Sequence, residues 1–250
     1  MKWFLLSAWI LTAITNARAQ QTYAVVLGVA DYVGTQNDLH YADADARLIT
    51  QFLRSPRGGR VPASHIVTLT NNEVTRVNVL RAFRVFELAR PGDRIIFYFS
   101  GHGLDGKFFT YNGQELLHQE LKNAFRRSAA KTKIVWADAC YSGSMRRKTK
   151  VRLVSNPTYR QLNDPSLNII VMASSRSSQS SAEYSSLRQG AFTFYMVKGA
   201  EGAADKDRNG VVTIGEHFRY VYQSVRSVSH NTQIPIIYGK FADSLPVTVL

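Results

Sequence analysis

The stretch TYAVVLGVADY (22–32) is apolar and β-branched, with no polar residue at alternate positions. A strand of that kind is buried on both faces, as strands are in a parallel sheet covered by helices. DRIIFYFSGHG (93–103), TKIVWADAC (132–140) and LNIIVMASS (167–175) read as further buried strands, and HIVTLTN (65–71) as another. Between them lie segments with helical spacing at 41–55, 75–89 (Thr75 as N-cap), 116–130, 190–202 and 215–228. A small hairpin is expected at 107–113, and IPIIYG (234–239) is an edge strand because Pro235 suits no central one. Strands alternating with helices make βαβ units. The expected fold class is α/β, a three-layer α/β/α sandwich around a mostly parallel sheet of about six strands. With no repeat, low-complexity tract or linker, residues 20–250 read as one domain.

The chain opens MKWFLLSAWILTAITNARAQ. Lys2, the apolar run 3–14 and the small-x-small site Ala17-Arg18-Ala19 make residues 1–19 a secretory signal peptide, with an uncleaved anchor as the competing reading. The protein is therefore expected outside the cytoplasm, secreted or periplasmic, with no transmembrane anchor. The formal net charge is +13. Such a balance favours anionic surfaces by steering and adhesion. No helix-turn-helix, RRM or zinc-finger spacing accompanies it, so specific nucleic-acid readout is not expected. An exported chain with one cysteine has no internal disulfide. Cys140 is then an inert buried thiol, an intermolecular bridge or a reactive group.

In open parallel sheets ligands bind beyond the carboxyl ends of the strands. His102 sits between two glycines directly after one buried strand, and Cys140 ends the next. If those strands are neighbours, about 4.8 Å apart, imidazole and thiol border one crevice. That pair suits acyl transfer: the thiolate attacks a carbonyl and the histidine protonates the leaving amine. The backbone N–H groups of Gly103 and Cys140 are the candidate oxyanion donors. His40, His65, His118, His217 and His230 have no such context. Asp138, two residues before Cys140, shares its strand face.

RIIFYFSGHG followed by IVWADACYSGS resembles the catalytic half of caspase-like cysteine peptidases, nearer to metacaspases and their bacterial relatives than to animal caspases. LHYADADA, MASSRSSQSSAE, GAFTFYMVKGAEGAADKDRNGVVTIGEHFRYV and TQIP extend the likeness over most of the chain after the leader. The resemblance implies the caspase sheet order 2-1-3-4-5-6, numbering the six strands along the chain, with the last an antiparallel edge. It implies His102 as general acid/base and Cys140 as nucleophile. By the same likeness Asp45 and Asp138 line the S1 pocket and pair with a basic P1 side chain. Two carboxylates suit Arg or Lys and repel the aspartate that animal caspases take. Without the family, Asp45 also reads as a solvated residue in the first turn of a helix. Many metacaspases carry histidine after the nucleophile, where this chain has Tyr141.

The expected activity is a cysteine endopeptidase acting on peptides or proteins after Arg or Lys, with no cofactor required for its chemistry. The basic loop 144–152 is a candidate self-cleavage site, or else a solvated anion-binding loop. The alternative function is a non-proteolytic caspase-like module that binds peptides or anions. Likeness to metacaspases favours a monomer. DKDRNGVVTIGE (205–216) fits the EF-hand pattern residue for residue. Asp205, Asp207, Asn209, the Val211 carbonyl and Glu216 are its candidate Ca2+ ligands, and Gly210 its tight turn. The competing reading is a structural acidic turn.

Overall fold

A computed structural model describes residues 19–141, 162, 164, 166–174, 183–184 and 186–250, with backbone alone at 140, 141, 183 and 184. The leader, save Ala19, and the basic loop 144–152 lie outside the described residues.

The strands are β1 (Thr22–Gly28), β2 (Ile66–Thr70), β3 (Arg94–Leu104), β4 (Lys107–Phe109), β5 (Glu115–Leu117), β6 (Thr132–Tyr141), β7 (Ile169–Ala173), β8 (Glu183–Tyr184), β9 (Gln189–Gly190), β10 (Val211–Thr213), β11 (Ile236–Tyr238) and β12 (Pro246–Val249). The α-helices are α1 (Ala42–Arg54), α2 (Arg76–Ala82), α3 (His118–Arg127), α4 (Ala191–Lys198) and α5 (Ile214–Val228). The main sheet runs β11-β7-β6-β3-β1-β2, with the β4–β5 hairpin attached to β3. All pairs from β2 to β7 are parallel, and β11 is an antiparallel edge on β7. This is the strand order the family likeness implied.

Alternation along β3 divides the core. Phe97 and Phe99 join an aromatic cluster with Phe83, Phe86, Phe108 and Phe125 on one face. Ile96 and Tyr98 join Ile49, Phe52, Phe192, Met196, Val221 and Val225 on the other, under α1, α4 and α5. Burying such side chains stabilises the sheet by about 1.5–3 kcal/mol each.

Several boundaries differ from the expectation. The strand expected over 22–32 ends at Gly28, which leaves Tyr32 beyond it. The helix expected at 75–89 is α-helical only to Ala82 and continues as 3-10 turns over Phe83–Leu88. The tighter turn eclipses residues three apart, so Phe83 and Phe86 both reach the core and stack with centroids 5.9 Å apart. The hairpin is wider than expected, because Thr110–Gln114 closes on itself through Thr110 N–H to the Gln114 carbonyl, 2.9 Å. Residues 115–117 therefore pair as β5 before α3 begins. The helix expected at 190–202 leaves α geometry after Lys198 in a π turn. No helix among the described residues is long and apolar enough to cross a membrane.

Candidate active site

β3 and β6 outlast their neighbours. β1 stops pairing at Gly28↔Ser100 and β7 at Ala173↔Ala137, but β3 and β6 continue through His102↔Cys140 to Gly103↔Tyr141. The histidine and the cysteine are thus register partners on adjacent parallel strands at their carboxyl ends. The backbones of Gly103 and Cys140, the two candidate oxyanion donors, belong to the same paired segment.

His102 is buried and held from the β1 side. Its backbone N–H donates to the Tyr32 hydroxyl at 2.8 Å, and the two rings lie 4.8 Å apart, tilted by 34°. Beyond the end of β1 the phenol takes the place of the next strand carbonyl. Burial raises the Tyr32 phenol far above the usual tyrosine value, so it stays protonated. Gly101 makes the approach possible. Its φ is +152°, and a β-carbon there would lie 2.7 Å from the Tyr32 hydroxyl. The His102 Nε2 lies 2.7 Å from the Asn37 carbonyl, which can only accept. Nε2 therefore carries the proton, and in the neutral ring Nδ1 holds the lone pair. The Asn37 loop is itself braced: Asn71 Oδ1 accepts from Ala30 N and Asp31 N, and Asp38 Oδ1 from Tyr32 N.

Asp45 and Asp138 converge. Asp45 belongs to the buried stripe of α1 with Ala42, Ala46, Ile49, Phe52 and Leu53, and its exposure of 2% removes the solvated reading. Its Oδ2 accepts from Ser100 Oγ at 3.0 Å and its Oδ1 from Gly190 N at 2.9 Å. Asp138 is 3% exposed and stands opposite Ser100 in the ladder. Its Oδ2 accepts from Thr193 Oγ1 at 2.9 Å and Thr193 N at 3.3 Å. A β-carbon at Gly190 would sit 2.6 Å from Asp138 Oδ2 and 2.8 Å from Asp45 Oδ2, so the two carboxylates close around one point. Gly190 has φ −65°, ψ 137°, open to any residue, and the acids alone demand glycine there. Both acids thus meet the N-terminal turn of α4, whose N–H groups and dipole favour negative charge.

In the 205–216 loop, Asp205, Asp207 and Glu216 bring one oxygen each within 4.8 Å of one another. Asp205 accepts from Asn209 N and Gly210 N, and Gly210 takes φ +82°. Asn209 Oδ1 already accepts from Val211 N, and Glu216 Oε2 from Thr213 N and Oγ1. The Thr213 contacts hold the Glu216 carboxyl below the ordinary glutamate value. Val211 pairs with Val249 of β12. The three acids are placed as cation ligands are, while Asn209 and Glu216 also close the loop itself. The loop is remote from His102 in sequence and belongs to the α4–α5 connection.

Ser100, Tyr32, Asn37, Gly190 and Thr193 escape a reading from sequence. Ser100 alone carried a signal, as the residue two before His102 on the same strand face.

Comparison with known proteins bears on the family and the fold. The caspase-domain peptidase profile matches residues 21–245. A probable protease of a Desulfuromonadales bacterium is 22% identical over 87% of this chain and 32% of its own length. Metacaspase-1 of Candida albicans is 33% identical over 32% of this chain and 18% of its own. The chain thus spans under a third of the length of either relative. The crystal structure of a Geobacter sulfurreducens protein shares the fold, with a TM-score of 0.61 at 19% identity over 92% of this chain and 99% of that one. On the profile match across nearly all its described length, the chain belongs to the caspase-domain family of peptidases.

Proposed function

We propose that this chain is a caspase-like cysteine endopeptidase that cuts after Arg or Lys, with Cys140 as nucleophile and His102 as general acid/base. Cys140 Sγ bonds to the scissile carbonyl carbon, and its proton passes to His102 Nδ1. His102 gives that proton to the leaving amine as the C–N bond breaks, leaving a thioester. Water, deprotonated by the same nitrogen, then attacks the thioester carbon and releases the carboxylic acid and the thiol. Gly103 N–H and Cys140 N–H are assigned to the developing oxyanion. The steps as written need no cofactor.

The observation that carries the proposal is the His102↔Cys140 register pair at the end of the two protruding strands, in a chain of this family. The P1 preference rests on the two buried carboxylates around Gly190, beside that strand end. An arginyl or lysyl P1 side chain brings them a cation with hydrogen-bond donors to match. An aspartyl side chain brings a third negative charge. Purified protein is to be assayed with arginyl, lysyl and aspartyl peptides beside Cys140→Ala. Turnover of the basic substrates alone, abolished in the variant, is expected. Faster cleavage of the aspartyl peptide overturns the pocket, and full activity of Cys140→Ala overturns the nucleophile. The segment 144–152, rich in Arg and Lys, is assigned as a self-cleavage site. Intact mass after incubation checks this, and one uncut mass in an active wild-type sample refutes it.

A further inference from the structure

The two acids are backed by a hydroxyl chain that joins the sheet to α4. Asp138 Oδ2 accepts from the Thr193 hydroxyl. A hydroxyl has one proton, so that bond commits it. Tyr98 Oη lies 2.6 Å from Thr193 Oγ1 and must therefore be the donor between them. Burial, and behind it the negative charges of Asp45 and Asp138, push the Tyr98 phenol well above its ordinary value, so it keeps the proton it donates. The Ser100 hydroxyl likewise donates to Asp45 Oδ2, at 3.0 Å. Each acid thus accepts from one hydroxyl, and Tyr98 backs the one carried by α4. Tyr98 and Thr193 are both fully buried.

We infer that Thr193 and Tyr98 are positioning residues for the cation pocket: the chain Tyr98 to Thr193 to Asp138 holds that carboxylate ionised and aimed, so selectivity for a cationic P1 depends on a hydroxyl carried by α4. This rests on Asp45 and Asp138 being the P1 pocket, as proposed above. Hydrogen bonds donated to a carboxylate favour its charged form, and in a buried chain each donor strengthens the next. Thr193 also fills space in the helix–sheet interface, and that role alone makes a different forecast. Valine preserves its shape and removes the hydroxyl. Serine keeps the hydroxyl and removes a methyl group.

The test compares kcat and KM for an arginyl peptide and its neutral citrullyl isostere in wild type, Thr193→Ser, Thr193→Val and Tyr98→Phe, with melting temperatures alongside. Thr193→Val is expected to raise KM for the arginyl peptide about tenfold, while kcat and the citrullyl KM hold within about twofold. Thr193→Ser should stay within about threefold of wild type, and Tyr98→Phe should fall between. Should valine prevent folding, Tyr98→Phe carries the test, since it leaves Thr193 in place. Three results overturn the inference: equal losses for serine and valine, equal losses on both peptides, or wild-type constants in Tyr98→Phe and Thr193→Val. Wild type without preference for the arginyl peptide overturns the pocket itself. A selective wild type with indifferent variants overturns the hydroxyl chain alone.

Discussion

Asp138→Asn isolates the charge of the pocket from its shape. Asparagine has the same outline, and its carbonyl oxygen can still accept the two Thr193 bonds that Asp138 Oδ2 accepts. What changes is the number of carboxylates meeting a P1 cation, from two to one. Asp138 is 3% exposed, so water and salt screen little of the loss. A hydrogen bond to a charged group contributes about 1.5–3 kcal/mol. At about 1.4 kcal/mol per factor of ten, that removes roughly 10- to 100-fold of kcat/KM for an arginyl peptide. The unmediated Coulomb figure, about 4 kcal/mol at 4 Å and an effective dielectric constant of 20, is an upper bound. It shrinks because the second acid remains and because desolvating two like charges together carries its own cost. The expected value is about 30-fold, from about 2 kcal/mol.

The assay sets kcat/KM for arginyl peptide against the citrullyl isostere, in wild type and variant. The citrullyl peptide has no charge to lose, so its constant should hold within about threefold. Removing one of two like charges that crowd Gly190 also relieves repulsion, so the melting temperature should not fall. A variant that loses both substrates equally, or that melts lower, shows Asp138 acting through the fold, and the electrostatic account of specificity then fails.

Two further outcomes follow from groups away from the crevice. His217 is fully buried, its Nε2 donates to the Met196 carbonyl at 2.7 Å, and burial pushes its imidazole down to about 4. The unfolded chain binds this proton near pH 6.5 and the folded one does not. Its contribution is therefore complete above pH 6.5 and is lost progressively as pH falls towards 4, by about 2–3 kcal/mol. Urea unfolding at pH 7 and 4.5 should show that loss reduced by this amount in His217→Gln, which keeps a donor for Met196, and an identical pH dependence refutes it. For the 205–216 loop, calcium at about a hundred times its dissociation constant would stabilise the fold by roughly 2.7 kcal/mol. Melting in calcium and in chelator should differ for wild type and coincide for Asp205→Asn, and equal wild-type curves remove the ion.

The sheet was legible because strands buried on both faces cannot hide their composition. The runs at 22–28, 94–99 and 133–137 had no solvent face to signal. The motifs at the strand ends were legible for the same reason, since polar and glycine residues interrupt those runs abruptly. Asp45 stayed ambiguous because the first turn of a helix suits a solvated carboxylate, while the family likeness implied a buried pocket. The groups that resolve the matter, Ser100 and Gly190 N, lie 55 and 145 residues away. Tyr98 falls in a stretch read as a buried strand and Thr193 in one read as a helix, and both are fully buried. Only the direction of their hydrogen bonds gives them a second role, and no local pattern encodes it. Tyr32 escaped because its apolar neighbours read as one strand to residue 32, whereas β1 ends at Gly28, and Asn37 because it acts through its backbone carbonyl from a short 3-10 turn.

The position of the candidate site follows from the unequal lengths of the strands. Past Ser100 on β3 and Ala137 on β6, neither β1 nor β7 continues the ladder, and the sheet narrows to two strands. Backbone on the outer sides of such a projection must find partners, and the chain supplies them individually. Val29 N–H meets the Ser100 carbonyl, Ser174 N–H meets the Ala137 carbonyl, and the Tyr32 phenol takes His102 N–H. β4 pairs with Gly103 and Leu104 on the side β1 left. Within the full sheet a histidine or an aspartate would be an uncompensated polar group between layers of apolar side chains. Where neighbouring strands have stopped, a loop and a helix end reach in with hydroxyls and amides, as Tyr32, Thr193 and Gly190 do. The strand ends therefore carry polar residues because the sheet is narrow there.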